Sequence, residues 1–189
     1  MAEGDVPFQA EGTRMAIFEF EGKRPAMGAR CYIFENATLI GNVVLGENVY
    51  VGPGAVLRGD YGRIEVGDRS SIEDNCVIHA RPNQLTSIGS DVTIGHGAII
   101  HNATIKDWTV VGMGSVVSDF SEVGVWCVIG EGAVVKNKSI IPDGKIAVGV
   151  PAKPVADVTE EYRTQWSAFK KLYNDLAENR YRNSMKRVG

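Results

Sequence analysis

Three histidines make up the whole imidazole complement of this 189-residue chain: His79, His96 and His101. Neutral imidazole is a common ligand for Zn2+, Fe2+ or Co2+, and it exchanges protons near physiological pH. The three cysteines, Cys31, Cys76 and Cys127, are odd in number, far apart and form no Cys-x-x-Cys pair. A disulfide framework or a thiolate zinc knuckle is therefore not expected. Charged residues stand ahead of the histidines in the chain, Arg58 and Asp60 first and then Glu73 and Asp74. A lone histidine is most often a surface or core residue. Whether three of them make a site depends on how the chain stacks them.

The stacking element is a repeat. From Ile33 an aliphatic residue returns every six positions, through Leu39, Leu45, Val51 and Leu57, then Val66, Ile72 and Ile78, then Ile88, Ile94 and Ile100. The series resumes at Ile105 and runs unbroken through Val111, Val117, Val123, Ile129 and Val135 to Ile141. Glycine often follows the aliphatic, and a small residue such as Ala55, Cys76, Ala98 or Cys127 lies four places on. No helix has this period, whereas a short strand plus a turn does. Three such units close a triangular coil, the coils stack, and the aliphatics fill the prism. The composition agrees: 23 Val and 15 Ile stand against 6 Leu, with 22 Gly, a bias toward pleated surfaces and turns. On this reading the glycines serve tight corners, and Cys76 and Cys127 are plain core.

The register then places the histidines. Ile78 and Ile100 are three units apart, one full coil, so His79 and His101 stack at the same corner with Arg58 beneath them. Neighbouring coils lie about 4.8 Å apart, close enough for two imidazoles to share one metal ion with bonds near 2.0–2.1 Å. His96 falls one face earlier on the prism, too far to join them within one chain. A three-histidine site therefore needs a neighbouring subunit, and a threefold assembly supplies it.

The segments Leu57-Arg58-Gly59-Asp60, Ile72-Glu73-Asp74-Asn75, Val77-Ile78-His79-Ala80 and Gly95-His96-Gly97-Ala98-Ile99-Ile100-His101 resemble those of the γ-class carbonic anhydrases. The likeness spans residues 28–153. It implies a left-handed parallel β-helix of hexapeptide repeats, all-β, assembled as a homotrimer. It also implies that His79, His96 and His101 bind Zn2+ (Fe2+ or Co2+ being alternatives) across the subunit interface. The implied reaction is reversible hydration of CO2 to bicarbonate by a metal-bound hydroxide. Arg58 and Asp60 match the family's pair that bridges subunits, and Asp74 matches an interfacial acid. Two departures stand out. Glu73 replaces a Gln of the well-studied branch and Ser71 an Asn, and the stretch 81–87 has no acid where the prototype carries an acidic loop. Metal binding is thus a firmer expectation than fast CO2 hydration.

Other segments point elsewhere. Gly59-Asp60-Tyr61-Gly62-Arg63-Ile64 also resembles homologues from the phenylacetate-degradation and carnitine operons. Ile141-Pro142-Asp143-Gly144 and Gly149-Val150-Pro151-Ala152-Lys153 are similar to terminal-coil segments of hexapeptide acyltransferases. An acyl-CoA thioesterase or acyltransferase is therefore the competing function, and a catalytically weak metal-binding trimeric accessory protein is a third.

The remaining chain frames the repeat. Residues 1–27 read as an N-terminal extension, with 1–14 polar and acidic and Met15 a candidate start. After residue 153 the pattern turns helical through 189. Val158, Tyr162, Trp166, Phe169, Tyr173 and Leu176 fall at spacings of three and four, a stripe expected to pack on the prism, with Tyr173 near the site entrance. Asp157 with Glu160, or Thr159 with Glu161, is expected to cap the start. A net charge of −3 gives no reason to expect nucleic-acid or membrane partners. The N-terminus reads as lacking a signal segment and the apolar runs are short, so the expected compartment is the cytoplasm.

Overall fold

A computed structural model describes residues 16–188. The chain winds into a left-handed parallel β-helix of about 7 turns, and its strands lie on three faces. The first face stacks Val77–His79, Ile99–His101, Val116–Val117 and Val134–Val135 above the start of the strand Val56–Val66. The second stacks Leu85–Ile88, Thr104–Ile105, Glu122–Val123 and Ile140–Ile141 above the end of that same strand. The third runs from Tyr32–Ile33 through Tyr50–Val51, Ser71–Ile72, Thr93–Ile94, Val110–Val111 and Val128–Ile129 to Lys145–Val148. All eighteen aliphatic repeat positions point inward, and none is more than 4% exposed. Burying each of these side chains is worth roughly 1.5–3 kcal/mol. The six-residue period therefore carries most of the driving force for the fold.

The three places where the period slips share one location. The steps Leu57 to Val66, Ile78 to Ile88 and Ile100 to Ile105 all cross from the first face to the second. The slips stack into a single irregular corner, while the other two corners keep their count.

The glycines that follow the aliphatics serve a different purpose from the corner role expected of them. Gly46 and Gly67 have ordinary negative φ. A Cβ on Gly46 would lie 2.8 Å from the Asp68 amide nitrogen, and one on Gly67 would lie 2.6 Å from the carbonyl carbon of Gly89. They are small because the next coil's backbone passes too close for a side chain. The left-handed corner positions are held largely by other residues, among them Asn75, Asn102, Trp108 and Trp126. Trp108 and Trp126 stack one above the other with ring centroids 4.7 Å apart. Cys76 and Cys127 are fully buried core thiols, as expected, and burial pushes Cys76 up to about 12.

Both flanks differ in boundary from the sequence reading. Ala16–Phe18 and Ala26–Met27, inside the expected extension, already pair in parallel with Thr38–Leu45. The expectations for residues 1–14 and Met15 lie outside the described residues. At the other end, Lys153–Asp157 is not helical but an antiparallel partner of Lys145–Val148. Helix α1 (Glu160–Asp175) starts later, with Thr159 as its cap accepting from the Tyr162 amide at 3.1 Å. A π-helical segment, Leu176–Arg180, and the short helix α2 (Tyr181–Ser184) follow.

The aromatic stripe packs only in part. Tyr162 and Trp166 are half-buried, but Phe169 and Tyr173 are 54% and 44% exposed. The buried place on α1 belongs to Lys170, whose Nζ donates to Ser71 Oγ (2.9 Å), the Val92 carbonyl (2.9 Å) and Thr93 Oγ1 (3.2 Å). The third face presents hydroxyls to the helix here, so a donor is buried where an aromatic ring would leave those oxygens unpaired. Among the described residues no helix is long and apolar enough to cross a membrane.

Candidate metal and catalytic site

The first face sets Arg58, His79 and His101 in one column on successive coils, each directly paired with the next. The register places them there, because each follows its inward aliphatic by one residue. The two imidazoles lie with centroids 5.1 Å apart, and His79 Nδ1 is 3.0 Å from His101 Nε2. Their other nitrogens face acids: His79 Nε2 is 2.9 Å from Asp60 Oδ1, and His101 Nδ1 is 2.7 Å from Asp119 Oδ1. Each acid is held in turn by an arginine, Asp60 by Arg58 and Asp119 by a two-pronged contact from Arg81 at 2.8 and 2.9 Å.

These neighbours fix the acids as anions. Burial raises the Asp60 carboxyl, but hydrogen bonds from His79 and Arg58 outweigh it and hold the group below the usual carboxylate range. Asp119 is lowered chiefly by the hydrogen bond from Arg81, with burial opposing and His101 assisting. An ionised carboxylate only accepts hydrogen bonds. The ring N–H groups therefore point at Asp60 and Asp119, and a neutral pair turns two lone pairs toward each other across the 3.0 Å gap. Such an arrangement calls for a cation or a shared proton between the rings. Two nitrogens bound at 2.0–2.1 Å to a tetrahedral ion stand about 3.3 Å apart, so the donor pair fits a divalent metal with little adjustment.

His96 sits elsewhere, at the corner that ends the third face. Its Nε2 is 3.2 Å from Glu73 Oε2 and its Nδ1 is 3.5 Å from Asp74 Oδ2. Glu73 also accepts from the His96 amide at 3.2 Å. Burial raises the Glu73 carboxyl, with the nearby His96 opposing. These three residues line a cavity of about 100 Å3 together with Tyr50, Tyr173 and Tyr181. Tyr173 thus borders the His96 side of the expected site. Among the described residues no three His, Cys, Asp or Glu side chains of one chain are placed to hold a metal ion by themselves. The histidines divide into a pair and a single, on different faces, as the register requires.

Sequence reasoning missed Arg81, Asp119 and Lys170. A signal existed for Asp119. Val117 pairs with Ile100, so Ser118 comes level with His101 and Asp119 follows one residue on, within reach of the ring. Lys170 interrupts the apolar line between Trp166 and Ala177, a break in an otherwise helical stripe.

A parallel β-helix of stacked six-residue units, with its strands on three faces, defines the class of hexapeptide-repeat proteins. The family profile described as "Bacterial transferase hexapeptide (six repeats)" matches residues 25–59. The carnitine operon protein CaiE of Proteus sp. (strain LE138) is 37% identical over 163 residues, 86% of this chain and 82% of that protein. A carbonic anhydrase of Geobacillus kaustophilus is 38% identical over 145 residues, 77% of this chain and 80% of that protein. A hexapeptide transferase family protein from Anaplasma phagocytophilum superposes with a TM-score of 0.82 at 34% identity, covering 86% of this chain and 96% of that one. The chain belongs to the γ-class carbonic anhydrase-like family of hexapeptide-repeat proteins, which includes the carnitine-operon homologues.

Proposed function

We propose that this protein is a metal-dependent, γ-carbonic anhydrase-like enzyme that hydrates CO2 reversibly at the interfaces of a homotrimer. His79 and His101 of one protomer and His96 of the next hold Zn2+, with Fe2+ or Co2+ able to take the same ligands. The observation that carries the reading is the pair of ring nitrogens, 3.0 Å apart, turned toward each other by Asp60 and Asp119. An apolar column flanks that pair: Val77 and Ile99, beside His79 and His101, are 40% and 41% exposed in the single chain. A neighbouring subunit would cover them.

When bound, Zn2+ supplies Lewis acidity that lowers the pKa of water from 15.7 to about 7. The residues of the chain do the rest. Asp60 and Asp119 hold the ring protons away from the metal side. Arg58 and Arg81 keep both acids ionised. Glu73 accepts from the His96 amide and faces its ring, so it would orient that ligand and offer a carboxylate able to take a proton at the site. Tyr173 and Asp74 border the entrance.

The test combines three measurements on the purified protein. Metal analysis should find stoichiometric divalent metal that His79→Ala loses. Light scattering should give three times the 20.5 kDa chain mass. Stopped-flow hydration of CO2 should then depend on the metal. A monomer without metal sinks the proposal. The competing reading, acyl-CoA hydrolysis or acyl transfer, draws on the transferase-type structural relative, and a screen over acyl-CoA thioesters tests it. Metal and trimer without either turnover would mark a binding or accessory role.

A further inference from the structure

Of the two acids at the histidine pair, Asp119 is the one gripped by a two-pronged arginine contact. Its Oδ1 takes His101 Nδ1 at 2.7 Å and Arg81 Nε at 2.9 Å, and its Oδ2 takes Arg81 Nη2 at 2.8 Å. Arg81 is itself braced, with its guanidinium 5.9 Å over the Phe120 ring and its amide donating to Asn102 Oδ1. The carboxylate plane is therefore fixed from two directions. Its side chain is only 14% exposed although Arg81 is about half exposed. A surface ion pair needs no third partner, whereas this one aims an acceptor at one particular ring nitrogen.

We propose that Asp119, braced by Arg81, is the positioning residue for His101: it holds the proton on Nδ1 and so turns the Nε2 lone pair into the gap facing His79. The inference rests on the metal reading above and goes beyond it by assigning the tautomer of His101 in the metal-free protein to this one contact. A metal-binding histidine whose second nitrogen is anchored by a carboxylate keeps its tautomer and ring orientation, and loss of that partner costs 10–100-fold in affinity. Without Asp119 the ring is free to carry its proton on Nε2, where it occupies the position a metal would take.

With three histidines in the chain, ring tautomers can be read directly by long-range 1H–15N correlation in the metal-free, full-length protein, each signal identified by a single His→Gln substitution. Wild-type His101 should appear as the Nδ1–H tautomer. Asp119→Ala should move it to Nε2–H, leave His79 unchanged and weaken Zn2+ binding 10–100-fold in competition with a chromophoric chelator. Wild-type His101 found as Nε2–H overturns the proposal outright, whether or not the variant folds. An Asp119→Ala protein with unaltered tautomer or unaltered Zn2+ affinity overturns it as well. A wild-type protein that shows the Nδ1–H ring and takes up no Zn2+ refutes the metal reading instead, and that signature differs from a misassigned Asp119.

Discussion

Lys170→Met should remove a contribution to stability that grows with pH between 7 and 9 in the wild-type protein. Lys170 is 2% exposed, and burial lowers its ammonium from an ordinary 10.5 to about 7, with Asp91 and Glu73 opposing. Below pH 7 both the folded and the unfolded chain carry the charge, so the full cost of burying it is present. Above pH 7 the folded chain releases that proton while the unfolded chain keeps it up to about pH 10, so stability climbs. At about 1.36 kcal/mol per pH unit, and with the folded group half titrated at the start, the gain by pH 9 is roughly 2 kcal/mol. The surroundings permit the uncharged form. Ser71 and Thr93 offer hydroxyls that can rotate to donate to a neutral amine, while its two hydrogens go to Val92 O and the other hydroxyl. Urea midpoints at pH 7, 8 and 9, at one fixed protein concentration, give the slope for each protein. The raised thiols, Cys76 among them, pull stability down above about pH 8.5 in both proteins and cancel in the difference. Met leaves the three oxygens without their donor, which offsets the variant's stability but not its slope. Parallel pH lines for the two proteins would refute the reasoning.

Three other outcomes follow from the geometry. Ile100→Ala removes a fully buried core side chain directly below Val117 and should cost about 2–5 kcal/mol by urea unfolding. Gly67→Ala pushes a methyl group to 2.6 Å from the Gly89 carbonyl carbon, so it should destabilise by more than the ~1 kcal/mol typical of point changes. It should also lower the thermal midpoint. Glu73→Gln keeps the shape at His96 but removes a buried acid. Metal content should persist, and the pH profile of CO2 hydration should shift in the stopped-flow assay. A profile identical to wild type would remove Glu73 from the proton path.

The fold was legible because its period is read from side chains that all do the same thing. Every aliphatic from Ile33 to Ile141 that kept the six-residue count is buried inside the prism. The stacking of Arg58, His79 and His101 followed from the same count. The glycine phase was legible but its cause was not. Close approach of one coil to the next depends on the coil diameter, which no local pattern encodes. Asp119 lies within reach of the register argument, since it sits two residues past Val117. Arg81 does not, because it belongs to the irregular corner where the count slips. The helix suffered the opposite error. Its apolar stripe was real, but the third face offers hydroxyls at Ser71 and Thr93, so Lys170 took the buried seat and Phe169 and Tyr173 turned outward. A helical period reports which residues share a side. It does not report the chemistry of the wall they meet.

The line of contacts from Arg58 through Asp60, His79 and His101 to Asp119 has a mechanical meaning. In a solenoid each coil touches only its neighbours, so an applied pull peels coils from an end one at a time, like a zipper. This line runs parallel to the axis and crosses four successive coils. Tension from the C-terminus would strip the last coils freely until it reached the coil of Asp119, and there the tie would have to break before the next coil could leave. An ion fastened between His79 and His101 would turn that tie into a rivet, and force spectroscopy would register it as a step whose height depends on added Zn2+.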